Sequence, residues 1–173
     1  MSTDCGIFFA KNGHNVLENA FSKEFSARTD KKINEDTLNK IYRNAHIALQ
    51  SISNVRDAAE DEAMKNELND EYDGYEKIIG EISSEMAKRK LEPKDINMIK
   101  KGMLWSSVKL KTAMDNSRRH LADMMIQGTI MGIIELYGIL RDDRDSLSEE
   151  TLCLVQKLLD FEETCEKTLK SLL

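Results

Sequence analysis

The chain has 173 residues and a mass of 19.8 kDa, and it contains only one Pro and eight Gly. The length suits a single domain that can bury a core of useful size. The scarcity of Pro excludes collagen, proline-rich linkers and most loop-rich β-sandwiches, which leaves a mainly helical protein. The formal net charge is −6, so we do not expect the molecule as a whole to bind phosphate backbones or anionic membranes.

The charge is unevenly distributed along the chain. Residues 94–119 contain seven basic side chains against Asp95 and Asp115, a net charge of +5, which leaves −11 for the remainder. Residues 57–92 carry twelve acidic and five basic side chains, a net charge of −7. We expect these neighbouring segments to attract each other within the fold. A nucleic-acid surface on the basic segment, centred on Trp105, is the alternative.

The first 32 residues differ in composition from the rest of the chain. Four of the five Phe lie here, and Leu17, Phe21 and Phe25 recur every four residues. This spacing predicts a short amphipathic helix at about 15–27. We expect residues 1–32 to form an arm that packs on the bundle or on a second subunit, and a docking peptide for a separate partner is the alternative.

Cysteine usage and the N-terminus predict a cytoplasmic protein. Cys5, Cys153 and Cys165 are odd in number and have no metal-ligand spacing, which is typical of reduced thiols. The apolar run near the N-terminus is too short for a signal peptide. The most apolar stretch, 124–140, contains Gln127 and Glu135 and falls short of a bilayer span, so we expect a buried helix there and no membrane insertion.

Apolar residues at helical spacing predict five further helices. Asn34 is expected to cap the first, and Ser146 and Glu149 have capping-box spacing before the last. A cluster of capping residues at 115–117 divides a basic helix from a very apolar one. The predicted helices span about 35–56, 60–90, 95–114, 117–141 and 147–172.

Connection lengths predict the topology. Short connections join the first two long helices and the last two, so each pair should form an antiparallel hairpin, whereas about 26 residues, 91–116, separate the pairs. Two hairpins with one long connection are typical of ferritin-like bundles. We therefore predict an all-α, ferritin-like four-helix bundle over residues 33–173, with a helical crossover at about 95–114.

The sequence lacks the standard di-metal motif of such bundles, which needs Glu-x-x-His on two helices. A degenerate site for Fe, Mn or Zn is an alternative, because His120, Asp123, Gln127 and Glu135 share one side of their helix and other helices supply further ligand types. The competing interpretation is a buried polar layer in which these groups satisfy one another. The candidate metal ligands are His46, His120, Glu71, Glu135 and Glu162.

Gly128 and Gly132 lie one turn apart on the most apolar helix. Their missing side chains would let another backbone approach closely, either inside the bundle or at a subunit interface. No serine, histidine and aspartate constellation with local spacing and no glycine-rich phosphate loop occurs in the sequence.

The string MLWSSVKLKTAMDNSRRHLADMMIQGTIMGII, residues 103–134, resembles an uncharacterised family of small bacterial helical proteins. The shared pattern is a Trp-containing helix, an Asp-x-Ser-x-x-His turn and a helix that begins with His-Leu/Ile-Ala. It falls here on Trp105, Lys109, Asp115, Ser117, His120, Gln127, Gly128 and Gly132. The resemblance implies a ferritin-like or four-helix-bundle fold, and it implies no activity.

The leading functional expectation is a non-catalytic helical bundle that acts by protein–protein association and forms a homodimer. Metal binding is the second hypothesis, and nucleic-acid binding through residues 94–119 is the third. The candidate interaction residues are Phe21, Phe25, Trp105, Lys109, Gly128 and Gly132.

Overall fold

The computed structural model describes residues 10–93 and 115–173, with side chains from residue 22 onwards. Within this part of the chain the structure consists of four α-helices and a 3-10 turn at Arg144–Ser146. The prediction of an all-α four-helix protein is confirmed. The helices are α1 (Ala10–Arg56), α2 (Glu62–Lys88), α3 (Arg118–Asp142) and α4 (Glu149–Ser171).

Side-chain caps begin α2, α3 and α4, close to the positions that the sequence predicts. Asp61 accepts a hydrogen bond from the backbone N–H of Met64. In the same way, the hydroxyl of Ser117 accepts from the N–H of His120, and that of Ser148 accepts from the N–H of Thr151. Each cap satisfies a backbone donor that the first helical turn leaves without a partner.

The first helix is longer than predicted and has no break at Asn34. Instead of capping a helix, the Asn34 side chain lies buried in the middle of α1, where its Nδ2 donates to the carbonyl of Ser146 at 2.8 Å. Its Oδ1 accepts from the backbone N–H of Ser148, also at 2.8 Å. The prediction of separate helices at 15–27 and 35–56 is wrong, because α1 is continuous over both ranges. Asn34 caps no helix, since its hydrogen-bond partners lie in the α3–α4 connection.

Residues on α1 before Asn34 extend past the end of the bundle. Asn34 is level with the α3–α4 connection, and the side chains of residues 22–29 are exposed. Those residues do not pack on the described part of the bundle, contrary to one of the two expected roles of the arm.

Contacts between side chains fix the directions of the helices. Asn34 and Arg43 of α1 contact Ser148 and Glu135 respectively, so α1 and α3 run antiparallel. Along α2, Tyr75 contacts Glu162, and at its C-terminal end Arg89 donates to Ser148 at 2.8 Å, so α2 and α4 are also antiparallel. The short connections make α1–α2 and α3–α4 antiparallel hairpins, as predicted.

The second helix ends at the opposite end of the bundle from the start of α3. Arg89 is beside the start of α4, whereas Arg118 at the start of α3 lies 3.8 Å from Asp61 at the start of α2. The two described ends of the connection between the hairpins therefore lie at opposite ends of the bundle. The predicted crossover helix at 95–114, with Trp105 and Lys109, lies outside the described residues.

The core lies along the axis between the four helices. Tyr75 is its largest fully buried side chain and meets the ring of Phe161 edge-on, with ring centroids 5.0 Å apart. The other large side chains with no more than 1% exposure come from all four helices: Leu38, Ile41, Ile52, Met64, Leu68, Ile82, Met86, Leu121, Leu136, Leu158 and Leu169.

Candidate binding cavity between α1 and α3

A cavity of about 420 Å³ lies between α1 and α3 and is partly open to solvent. Its floor includes Tyr75 of α2 and Glu162 of α4, so all four helices contribute to it. The two lining helices supply a mainly apolar wall: Ile47, Ala48, Val55, Met124, Met125 and Met131. A volume in this range suits a small organic molecule.

Gly128 and Gly132 of α3 have different roles at this cavity. A Cβ at Gly132 would overlap the carboxylate of Glu162, so only the absence of a side chain lets α3 approach that group. A Cβ at Gly128 would touch nothing within 4 Å, because Gly128 borders the open volume. At Gly132 the nearest atoms belong to the side chain of Glu162 and Gly128 borders open space, so the close approach of another backbone at this pair stays a prediction.

The carboxyl of Glu162 is a deeply buried polar group of the cavity. The residue is 1% exposed, its Oε1 accepts a hydrogen bond from the Tyr75 hydroxyl at 3.4 Å, and its Oε2 has no partner. Burial raises the pKa of Glu162 to about 8, against a lowering by the Tyr75 hydrogen bond and with a further rise from the charge of Glu135. At neutral pH the carboxyl is thus mostly protonated.

Glu135, at the edge of the cavity, is paired. Its Oε1 lies 2.9 Å from Nη2 of Arg43, and its Oε2 accepts from Nδ2 of Asn44 at 3.5 Å. The same Asn44 amide lies 3.4 Å from the carbonyl of Gly132. These contacts join α1 to α3 at the level of Glu162.

Glu71 lies deeper in the bundle on α2, away from the cavity lining. It is 2% exposed and neither carboxyl oxygen has a hydrogen-bond partner in the structure. Burial raises its pKa to about 8, and the charge of Glu67 adds to the rise. Burial also raises the pKa of Tyr75 well above its usual range, with contributions from Glu162, Cys165 and Glu71. Two protonated carboxyls and a neutral phenol therefore share the centre of the bundle at pH 7.

The five predicted metal ligands do not come together. The contact of Asn44 with Gly132 sets His46 level with about residue 130 of α3, so His120 is roughly ten residues, or about 15 Å, further along the bundle. The ring of His46 packs against Tyr42 with centroids 4.3 Å apart, and burial lowers its pKa. In residues 10–93 and 115–173 no group of three or more His, Cys, Asp or Glu is arranged to hold a metal ion.

The polar ladder predicted for the interior of α3 lies on its outer side instead. His120, Asp123 and Gln127 are exposed, and Gln127 donates to Asp123 at 3.0 Å. Shared spacing correctly grouped these three residues on one face of the helix, but only packing decides which face is buried. Glu135 does not share that outer position, because it contacts α1.

The predicted interaction residues have varied positions. Phe25 is 66% exposed on the extended part of α1, while the Phe21 side chain, Trp105 and Lys109 lie outside the described part of the structure. The outer side of α3, which was not predicted as a surface, exposes three large apolar groups: Ile130 at 37%, Ile134 at 64% and Tyr137 at 53%.

By length and composition, α3 is the one helix in the described chain that could cross a membrane, and 28% of its most apolar window is buried. A single helix of this kind is weak evidence for a membrane span. The expectation that 124–140 forms a buried helix is wrong, because one side of α3 is apolar and exposed.

The sequence contained a signal for the burial of Glu162 that the prediction did not use. Glu162 follows Leu158 by four residues and precedes Cys165 by three, so it shares their core face. Arg43 and Asn44 were missed altogether, because their contacts with α3 depend on the register of the two helices.

Comparisons of the chain with protein-family models, with curated proteins and with solved structures return no match. The resemblance over residues 103–134 therefore stays a prediction.

Proposed function

We propose that this protein acts by association and that α3 pairs with α3 of a second copy. The observation that carries the proposal is the apolar outer face of α3. Ile130, Ile134 and Tyr137 follow one another at steps of four and three residues, and each is at least 37% exposed. This spacing gives a helix a continuous apolar stripe suited to a partner helix.

Charges at the two ends of the stripe favour a second copy as the partner. Asp123 and Arg141 are 18 residues apart, about five helical turns, so they share the face of Ile130 and Ile134. In a symmetric antiparallel pair centred on residue 132, Asp123 faces the partner's Arg141, and Ile130 faces the partner's Ile134. A two-fold interface repeats each of these contacts.

A single helix pair buries less surface than a standard interface of roughly 1,600 Å². We therefore expect a dissociation constant on the order of 10 μM. We also infer that the bundle is ferritin-like, which the alternating directions of its neighbouring helices and the long connection between the hairpins support.

Sedimentation of the full chain over a concentration series tests the association. Ile134→Asp buries a charge at the centre of the interface and should raise the dissociation constant about a hundredfold. Leu173→Asp, at a side chain of comparable exposure outside the stripe, is the matched control and should leave the dimer unchanged.

Charge reversal tests the antiparallel register. Asp123→Arg and Arg141→Asp should each weaken the homodimer, while a mixture of the two variants should form a heterodimer at least as stable as the wild type, because each contact then joins opposite charges. A wild-type monomer at all concentrations, a dimer lost through Phe25→Asp, or recovery of the chain on neutral lipid vesicles would overturn the proposal.

A further inference from the structure

We propose that the cavity between α1 and α3 binds an amine carried on an apolar body, with the ammonium group against the carboxylate of Glu162. The first ground is the unused acceptor. Glu162 is 1% exposed, and its Oε2 has no donor although the residue lines the cavity. Buried polar atoms are almost always hydrogen-bonded, so an oxygen without a donor on a residue that lines a cavity is a candidate binding group.

The charges around Glu162 select a cation as the ligand. No Lys, Arg or His of the described residues lines the cavity, and the nearby guanidinium of Arg43 is already bound to Glu135. Glu71 adds a second buried carboxyl on the α2 side. An anionic ligand would therefore meet no basic side chain among the described residues of the lining, whereas an ammonium would form an ion pair with Glu162 once that carboxyl has lost its proton, in surroundings of low dielectric constant.

The walls of the cavity fit an apolar body. Met124, Met125 and Met131 line the α3 side, and Ile47 lies across from them on α1. Methionine side chains adapt to irregular shapes, and the open space beside Gly128 leaves room for a chain or a ring.

Binding by this route releases a proton. The ligand enters as an ammonium ion, and the protonated carboxyl of Glu162 loses its proton to solvent as the ion pair forms. Because burial raises the pKa of Glu162 to about 8, most molecules carry this proton at pH 7 before binding. Tyr75 from α2 keeps its hydrogen bond to Oε1, and the Glu135–Arg43 pair is unchanged.

Calorimetric titration of the full chain with octylamine tests the proposal, and 1-octanol and octanoate serve as matched probes of the same chain length. Octylamine should bind at least tenfold more tightly than either. Titrations at pH 7 in two buffers with different ionisation enthalpies should show release of about one proton per octylamine. Glu162→Gln should weaken octylamine binding at least tenfold, abolish the proton release and leave 1-octanol binding unchanged.

A second pair of variants tests where octylamine binds and leaves the charge of every side chain unchanged. Gly128→Leu fills the open volume and should abolish octylamine binding, while Gly80→Leu, at an exposed glycine that also has open space around it, should not change it. Equal affinity for octanoate and octylamine, unchanged binding in Gly128→Leu, or absence of octylamine binding to the wild type would each overturn the assignment.

Discussion

The contact between α2 and α4 and the contact between α1 and α3 each include a glycine, but only at the first is the space beside the glycine filled by a neighbouring side chain. Along α2 and α4, the ring of Phe161 occupies the space beside Gly74, and Lys157 forms an ion pair with Glu81 at 2.5 Å. Along α1 and α3, the space beside Gly128 is open and forms part of the cavity. Whether the space beside a helical glycine is filled thus depends on the side chain that the neighbouring helix presents to it.

The acidic residues of these contacts differ in the same way. Glu85 of α2 is 8% exposed, but hydrogen bonds from Arg89 and Lys88 hold its pKa below the usual range. Glu162 and Glu71 are more deeply buried, at 1% and 2% exposure, and have no basic partner, and burial raises their pKa values to about 8. Hydrogen bonds from basic side chains favour the charged form of Glu85, whereas burial favours the protonated forms of Glu162 and Glu71.

The largest expected effect is on the pH dependence of the free energy of unfolding, to which Glu71 and Glu85 contribute with opposite signs. The folded-state pKa of Glu71 is above the unfolded value, so the folded protein holds a proton that the unfolded chain releases, and stability falls as pH rises from about 4.5 to about 8. The loss reaches on the order of 4 kcal/mol at pH 8. Glu71→Gln should remove this part of the pH dependence in urea unfolding.

Glu85→Gln is the control of opposite sign. Its folded-state pKa is lowered, so its contribution to stability is present above about pH 4.5 and is lost as pH falls through the folded pKa. The variant should therefore lose stability at pH 7 and little at low pH. An identical pH profile for Glu71→Gln and the wild type would show that Glu71 ionises normally in the folded protein.

The second expected effect tests the packing of the two contacts. Phe161→Ala removes the ring that fills the space beside Gly74 and packs on Tyr75, and it should lower the free energy of unfolding by about 3 kcal/mol. Met124→Ala, on the wall of an existing cavity, should cost less than about 1 kcal/mol. Equal losses in chemical denaturation would mean that the cavity wall is as tightly packed as the filled contact.

How far the sequence predicts these features depends on whether they are local. Ser117 and Ser148 cap helices within three residues of their own positions, and the sequence predicted both regions as helix starts. Asn34 has the same cap-forming chemistry, yet it bonds across 112 residues to Ser146, and no local pattern distinguishes these two uses of an asparagine.

The candidate site was predicted only in part for the same reason. Glu135 and Glu162 were predicted as candidate metal ligands, and both line the cavity. The prediction that His46 and His120 join these carboxyls in one site is wrong. Helical periodicity indicates which face of a helix a residue occupies, but not its level relative to another helix. The pairing of Arg43 with Glu135 depends on that level, and nothing in the sequence fixes it.

The smallest expected effect compares two alanine substitutions on α3, four residues apart. Gly128→Ala adds a methyl group in open space and gains helix propensity, so it should raise the free energy of unfolding by about 0.5–1 kcal/mol. Gly132→Ala gains the same propensity, but its Cβ forces the buried Glu162 carboxyl to move, so we expect a net loss of about 1 kcal/mol. Thermal unfolding of both variants measures the difference. If both alanines stabilise the protein, the Glu162 side chain moves aside without cost and α3 does not depend on a glycine at this position.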